Sequence, residues 1–185
     1  DWAYGNIGRY RGILVYEYVD GEPLCDHLDE DRVSKALDLM TRLHNDPRHR
    51  KARPFIPNYR EVEADRLKYY LGKLGLGRDL REKLLDLAKS YLDERIDYVL
   101  IHGDYRPQNL ILSDDRIFMI DLEGISDGAD KYKDAGTFSA ECQKLGLDYV
   151  EELLELRGYK TESIRYIFYL VRRLLVILRY EENER

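Results

Sequence analysis

The amino-acid sequence predicts a single α+β domain that is mostly helical and carries a small β-sheet. The chain has 185 residues, a length that suits one domain with a hydrophobic core. Several long segments place apolar residues at helical spacing, and short β-prone runs stand between turn signals. No repeat or low-complexity tract interrupts this pattern.

The predicted helices rest on apolar residues that recur every three to four positions. In residues 31–45, the apolar residues fall at helical spacing: Val33, Ala36, Leu37, Met40 and Leu43. Further helical patterns cover residues 60–71, 78–94 and 161–180, and the segment after residue 134 is also helical. We therefore expect helices to make up most of the domain.

Short runs of β-prone residues predict the strands. Residues 13–18 form the first run, and residues 98–101 form a second that leads into a polar loop. Residues 110–112 and 117–120 are separated by turn-forming residues, which predicts a β-hairpin. The polar residues at the ends of these strands are the candidates for chemistry.

Composition and charge exclude several classes of protein. The net charge of −6 argues against a nucleic-acid binder, because affinity for the phosphate backbone comes from clustered Lys and Arg. The most apolar stretch, residues 164–180, carries four arginines and is not suited to crossing a bilayer. Cys25 and Cys142 form no CxxC motif, which fits a reducing compartment. We expect a cytoplasmic protein without nucleic-acid or membrane partners.

Three polar residues stand where phosphoryl transfer would need them. Asp104 and Asn109 lie five positions apart in one loop, and Asp121 follows the predicted hairpin. Phosphoryl transfer uses a carboxylate beside the attacking hydroxyl and oxygen ligands that hold Mg²⁺ against the phosphates. A loop joined by a hairpin to a strand brings all three residues to one edge of a small sheet.

These motifs resemble those of a known family. The loop of residues 102–109, His-Gly-Asp-Tyr-Arg-Pro-Gln-Asn, resembles the catalytic loop of aminoglycoside phosphotransferases, choline kinases and related small-molecule kinases. Protein kinases usually have Arg at the position of Gly103. The segment of residues 120–123, Ile-Asp-Leu-Glu, is similar to the metal loop of the same family, where protein kinases have Asp-Phe-Gly.

The resemblance implies roles for the residues of both loops. The protein would be an ATP- and Mg²⁺-dependent phosphotransferase that acts on a hydroxyl of a small molecule. Asp104 would be the catalytic carboxylate, as a base or by orienting the hydroxyl. Asn109, Asp121 and Glu123 would be the metal ligands, although Glu123 is equally open to a scaffold role.

The resemblance also implies a division of the chain. Residues 14–24 look like the hinge between the two lobes of the family, where backbone groups of Glu17 and Val19 would meet adenine. Residues 1–24 would be a remnant of the N-terminal lobe sheet and the hinge. Residues 25–185 would be a protein-kinase-like C-terminal lobe.

Three further residues have interpretations that the structure can test. His44 closes a Leu-His element at a helix end that resembles the family. Asp134 resembles the Asp that opens the helix after the metal loop, and we interpret it as a helix N-cap. His102 is interpreted as a core histidine that holds the catalytic loop by hydrogen bonds.

Most of the expected N-terminal lobe is absent from the sequence. Kinases clamp ATP with a glycine-rich loop and a strand Lys, but no Lys precedes Lys35 here. Either the chain is a piece of a longer protein, or it is a natural domain that has lost its nucleotide clamp. The apolar edge at residues 13–15 would pair with the missing lobe segment or with a second copy in a homodimer.

Two other functions remain open on the sequence alone. A kinase-like regulatory or binding module would keep the loop as scaffold. A hydrolase would use His102, Asp104, Asp121 and Glu123 as a metal cluster, although one His beside carboxylates and an Asn suits Mg²⁺ better than Zn²⁺. The acceptor is also open, since the Tyr-rich and acidic segments at residues 59–70 and 127–132 would suit a cation, an amino sugar or another compound.

Overall fold

The architecture combines helices with small antiparallel sheets. The structure is a computed structural model that describes residues 8–10, 13–15, 18–49, 54 and 56–183. The helices of that part of the chain are α1 (Glu30–His44), α2 (Tyr59–Lys73), α3 (Arg78–Asp93), α4 (Tyr132–Lys144), α5 (Val150–Glu155) and α6 (Ile164–Asn183). The predicted mixture of helices with a small sheet is confirmed.

The strands form three separate small sheets. In chain order they are β1 (Gly8–Tyr10), β2 (Ile13–Val15), β3 (Glu22–Pro23), β4 (Tyr98–Ile101), β5 (Leu110–Ser113), β6 (Arg116–Met119) and β7 (Ser126–Asp130). Strand β1 pairs with β2, β3 joins the β5–β6 hairpin, and β4 pairs with β7, all antiparallel. The predicted hairpin and the strand at 98–101 are therefore present.

The first predicted strand is only partly recovered. Of residues 13–18, the strand β2 covers Ile13–Val15, residues 16 and 17 lie outside the described residues, and Tyr18 is irregular and exposed. Strand β3 stands before the predicted boundary at residue 24 and pairs with β5 beyond it. The boundary itself stays a prediction.

Helix α1 forms where its capping and apolar residues require it. The Asp29 side chain accepts a hydrogen bond from the Arg32 backbone N–H at 2.8 Å, and acidic Glu30 and Asp31 follow in the first turn. The apolar residues of the predicted stripe are all buried: Val33, Ala36, Leu37, Met40 and Leu43. The helix is therefore held by the face that its sequence predicts.

Helices α4 and α6 approach each other closely at a glycine. A Cβ atom on Gly136 would lie 2.6 Å from the backbone nitrogen of Leu170, so a larger residue would push the helices apart. The core beside this contact is aromatic, with Tyr91 stacked on Phe168 at 3.9 Å between ring centroids. This packing fixes α6 against α4 next to the candidate site.

The loop after β4 is built into the core as well. Tyr105 is fully buried, and its hydroxyl donates a hydrogen bond to the Ala36 carbonyl of α1 at 2.6 Å. The polar loop residues around Tyr105 are thus held at the surface of the core. Within the described ranges, no helix has the length and apolar character needed to cross a membrane.

Candidate active site

Asp104 and Asn109 are brought together by the loop between β4 and β5. The Asn109 amide nitrogen donates to the Asp104 backbone carbonyl at 2.9 Å and to its carboxylate Oδ2 at 3.0 Å. Asn109 is buried, while the Asp104 side chain is 36% exposed. The loop therefore presents a fixed carboxylate to solvent.

The segment after β6 lies directly beside this loop. The Ile120 backbone N–H donates to the Asn109 carbonyl at 3.0 Å, and His102 Nε2 contacts the Ile120 carbonyl at 2.8 Å. Asp121 follows at once, with a φ of 57° in the left-handed region that Asp tolerates better than most residues. These hydrogen bonds hold Ile120, the residue before Asp121, beside Asn109.

The buried position of His102 confirms its interpretation as a core histidine. Its ring is fully buried and holds the two loops together through Ile120. Glu123 is exposed in the turn that follows Asp121. Across the described residues, no three His, Cys, Asp or Glu side chains form a group able to hold a metal ion. The ligand roles of Asn109, Asp121 and Glu123 stay predictions.

Gly103 is required by the contact between the two loops. Its φ is +90°, and a Cβ atom would lie 2.2 Å from the Gly124 carbonyl oxygen. Any side chain would be strained and would also separate the loops. The glycine at this position, where protein kinases usually have Arg, therefore has a local steric cause.

Asp134 supports the loop of residues 102–109. Its two carboxylate oxygens accept the backbone N–H groups of His102 and Gly103, each at 2.8 Å. His44 Nε2 lies 3.0 Å from the same carboxylate, and the other ring nitrogen of His44 lies 2.7 Å from the Tyr159 hydroxyl. We call Asp134, His44 and the two loop amides the support network.

The N-cap interpretation of Asp134 is wrong. The N-cap of α4 is Lys131, and Asp134 lies within the first turn with its side chain fully buried. Burial would raise the pKa of Asp134, but hydrogen bonds and charge from His44 and His102 hold that pKa below its usual value. Asp134 is therefore an ionised acceptor at neutral pH.

Two arginines flank the Asp104 carboxylate. Arg106 Nε lies 3.1 Å from Oδ2, and Arg173 Nη1 lies 3.5 Å from Oδ1. Arg173 is also bound to Glu141, with its Nε donating at 2.7 Å. The carboxylate thus faces positive charge from both the loop and α6.

A cleft of about 960 Å³ opens beside Asp104. Helices α2, α4 and α6 form its walls, and the catalytic loop closes one end. A volume of this size is within the range of small-molecule sites, about 300–1,000 Å³. Asp104 therefore stands at the edge of a cavity that could hold an acceptor.

A second charged cluster lies in this cleft and was not predicted from the sequence. Glu63 is almost fully buried and is surrounded by Arg66 Nη1 at 2.7 Å, Lys133 Nζ at 3.4 Å and Arg172 Nε at 3.5 Å. We call these three cations around Glu63 the cation cluster. Its members come from three helices, and only the Glu63–Arg66 spacing of three residues is visible locally.

Burial and repulsion act on the charges of the cation cluster. Burial opposes ionisation of Glu63, but Lys133, Arg172 and Arg66 hold its pKa below the usual value. The pKa of Lys133 is lowered by burial and by repulsion from Arg172 and Arg66, which Glu63 does not fully offset. The cluster is therefore short of negative charge.

The predicted hinge is described only in part. Glu17 lies outside the described residues, and Val19 is a partly buried residue of the irregular segment before β3. The proposed adenine contact of their backbone groups stays a prediction.

Comparison with curated proteins gives a distant relative. The chain is 26% identical over 141 residues to a protein named LicA homolog from Mycoplasma capricolum. The match covers 73% of this chain and 56% of that protein. The chain therefore spans little more than half the length of this relative.

Solved structures show the same fold at low sequence identity. Choline kinase LicA from Streptococcus pneumoniae matches with a TM-score of 0.64 and 18% identity, over 99% of this chain and 68% of that one. An aminoglycoside phosphotransferase from Streptomyces rimosus, solved with ADP and streptomycin, matches with a TM-score of 0.60 and 23% identity, over 88% and 69%. A choline/ethanolamine kinase family protein from Mesorhizobium loti matches with a TM-score of 0.69 and 17% identity. This match covers 98% of this chain and 65% of that one.

The family is given by a sequence model that covers more than half of the chain. The model of the phosphotransferase enzyme family APH matches residues 4–129, which include β1 to β6, most of β7, α1 to α3 and both loops of the candidate site. This protein belongs to the APH phosphotransferase enzyme family.

Proposed function

We propose that this chain is the catalytic part of a phosphotransferase that moves a phosphoryl group from ATP to a hydroxyl of a small molecule. The observation that carries the proposal is the Asp104 carboxylate, held by the Asn109 amide at the mouth of a small-molecule-sized cleft. A carboxylate in this position can accept the hydroxyl proton or orient the hydroxyl for attack. Family membership supports the same reaction class.

Residues beside Asp104 are the proposed ligands of a Mg²⁺ ion. The Asn109 amide nitrogen is used by Asp104, which leaves the amide oxygen to face a cation. Asp121 follows Ile120, whose backbone N–H is bonded to the Asn109 carbonyl, and Glu123 adds a further carboxylate in the following turn. Such oxygen ligands suit Mg²⁺, which would neutralise charge on the phosphate oxygens when bound.

The support network gives Asp104 its position. Asp134 holds the backbone of His102 and Gly103, the two residues that precede Asp104. The peptide groups of the loop are therefore fixed before substrate arrives, which lowers the cost of orienting the carboxylate. Arg106 contacts Oδ2 of Asp104 and Arg173 contacts Oδ1, so both carboxylate oxygens are held in position beside the cleft.

ATP is the proposed donor. The structures of related folds that hold ADP or AMP support a nucleotide. The adenine would meet backbone groups near Glu17 and Val19. The glycine-rich loop and strand Lys of the kinase mechanism are part of this proposal but are not among these 185 residues, so the tests use the complete protein that carries the chain.

The proposal is tested by looking for a phosphorylated product. The complete protein is incubated with ATP, Mg²⁺ and a panel of hydroxyl compounds, and products are detected by mass spectrometry. We expect at least one compound to gain a phosphoryl group in a Mg²⁺-dependent reaction. The Asp121→Ala variant should lose both turnover and Mg²⁺-dependent nucleotide affinity.

The outcome also separates the enzyme from a non-catalytic binding module. A folded complete protein that binds nucleotide but phosphorylates no compound would favour the module. Wild-type nucleotide affinity in Asp121→Ala would contradict the metal role of Asp121.

A further inference from the structure

We propose that the acceptor carries an anionic group, a carboxylate or a phosphate, which binds the cation cluster in the cleft beside Asp104. This inference rests on the proposed function and narrows its substrate class. The shared chemistry is an oxyanion on a small molecule with a free hydroxyl. An acceptor of this class differs from choline, for which one related structure is named, and from streptomycin, which another related structure contains.

The lining of the cleft has an excess of positive charge. Six of its side chains are cationic, and only three, Asp65, Asp104 and Glu141, are acidic. The cations are Arg66, Arg106, Lys133, Lys144, Arg172 and Arg173. The whole chain has a net charge of −6, so the cleft is opposite in sign to the rest of the molecule. A site of this sign attracts anions.

Two buried cations of the cluster are poorly compensated. Lys133 is 13% exposed and Arg172 is 11% exposed, yet both share the single carboxylate of Glu63 with Arg66. The Nε atom of Arg172 has no hydrogen-bond partner in the described part of the chain. Glu63 Oε2 lies 3.5 Å from this Nε atom, too far for a good hydrogen bond, and an oxyanion in the cleft would supply a closer acceptor.

Two aromatic residues of the cleft, Tyr69 and Tyr70, already face cations of the chain itself. The guanidinium of Arg179 lies 5.4 Å from the ring centroid of Tyr69 and 6.0 Å from that of Tyr70, and Lys73 Nζ lies 5.5 Å from the Tyr69 ring. Recognition of a quaternary ammonium uses such ring faces. A cationic acceptor at the Tyr69 or Tyr70 ring would compete with Arg179 and Lys73.

The cation cluster lies where a bound anion can direct a hydroxyl to Asp104. Arg172 contacts Glu63, and the next residue, Arg173, contacts the Asp104 carboxylate at 3.5 Å. Two adjacent residues of α6 therefore contact, respectively, the Glu63 carboxylate of the cation cluster and the Asp104 carboxylate. The anion would sit on Lys133 and Arg172, with the rest of the acceptor extending along α6 toward Asp104.

The first test measures anion binding without catalysis. Thermal unfolding of the complete protein is followed with inorganic phosphate and, separately, with malonate, against NaCl at matched ionic strength and with Mg²⁺ and ADP present throughout. We expect a saturable rise in melting temperature from at least one anion, because a ligand that binds only the folded state stabilises it. Arg172→Gln and Lys133→Gln should each weaken this binding at least about tenfold, while Arg78→Gln on the exposed face of α3 should not.

The second test uses the acceptor found in the product assay. The same anion should compete with the acceptor and not with ATP, and Arg172→Gln should raise KM for the acceptor more than it lowers kcat. Unchanged anion binding in both variants, competition with ATP alone, or efficient phosphorylation of choline would overturn the inference. Arg172-dependent anion binding in a protein that phosphorylates no compound would support the anion site and count against the proposed function.

Discussion

Two buried carboxylates, Asp134 and Glu63, lie in very different surroundings. Asp134 accepts hydrogen bonds from two backbone N–H groups, and the ring of His44 also lies at hydrogen-bond distance from its carboxylate. Glu63 faces three cations, and one of its oxygens has no hydrogen-bond partner in the described residues. Both carboxylate oxygens of Asp134 have hydrogen-bond partners, whereas the single carboxylate of Glu63 is shared by three cations. We infer that Asp134 holds the loop in position, whereas the cations around Glu63 can bind an additional anion.

The largest expected effect is on the support network. Asp134→Ala would leave the two loop amides and His44 without their buried acceptor, and we expect a loss of about 3–5 kcal/mol in the free energy of unfolding. The measurement is urea unfolding of the complete protein. Asp86→Ala, which removes only an exposed carboxylate paired with Lys89, should cost under about 1 kcal/mol. Equal free energies of unfolding for Asp134→Ala and Asp86→Ala would contradict the support role of Asp134.

A smaller effect is expected from Glu63→Gln. The variant leaves Lys133 and Arg172 without a counter charge, but Arg66 is half exposed and solvent screens part of the loss. We expect a cost of about 2 kcal/mol. Added phosphate should recover part of this cost in Glu63→Gln and none of it in Asp134→Ala. Equal recovery in both variants would show that the two carboxylates do not differ as we infer.

The smallest expected effect is on the pH dependence of stability. The folded pKa of Asp134 is lowered from an unfolded value near 3.9, so its contribution is present above about pH 4 and is lost as pH falls further. Unfolding measured from pH 3 to pH 8 should show a shallower acid loss in Asp134→Asn than in the wild type. An unchanged acid limb would contradict the ionised, paired state of Asp134.

Asp130 is the matched control, because it is equally buried but has the opposite shift. Burial raises the pKa of Asp130 to about 6. This effect is larger than the opposing attraction to Arg165, whose Nε lies 3.9 Å away. Its folded state holds a proton that the unfolded state has lost, so stability falls as pH rises through about 6. Asp130→Asn should flatten the profile between about pH 4 and pH 6 and leave the region below pH 4 as in the wild type.

The parts of the fold that were predictable are those with a local signal. Helix α1 carries its apolar stripe and its cap within sixteen residues, and the hairpin carries a turn between two apolar runs. Strand β7 was missed because its sequence, Ser-Asp-Gly-Ala-Asp, has low β propensity, and only its pairing with β4 makes it a strand.

The same distinction applies to the candidate site. Asp104 and Asn109 share one loop, so their spacing in the sequence predicts their contact. Asp134 is 90 residues from His44 and 32 from His102, and no local pattern connects them. Glu63 and Arg172 are likewise on separate helices. Tertiary packing, and not spacing, brings both charged groups together.

We propose that Asp104 acts in the chemical step and that the rest of the site positions it. The most direct test is to measure kcat and ATP affinity in the complete protein with the acceptor found in the product assay, comparing wild type with Asp104→Asn. Loss of the carboxylate should lower kcat by about 10²–10⁴-fold and leave ATP affinity nearly unchanged, because general-base and orienting effects act in the transition state. Near-wild-type kcat in a folded Asp104→Asn variant would contradict the account.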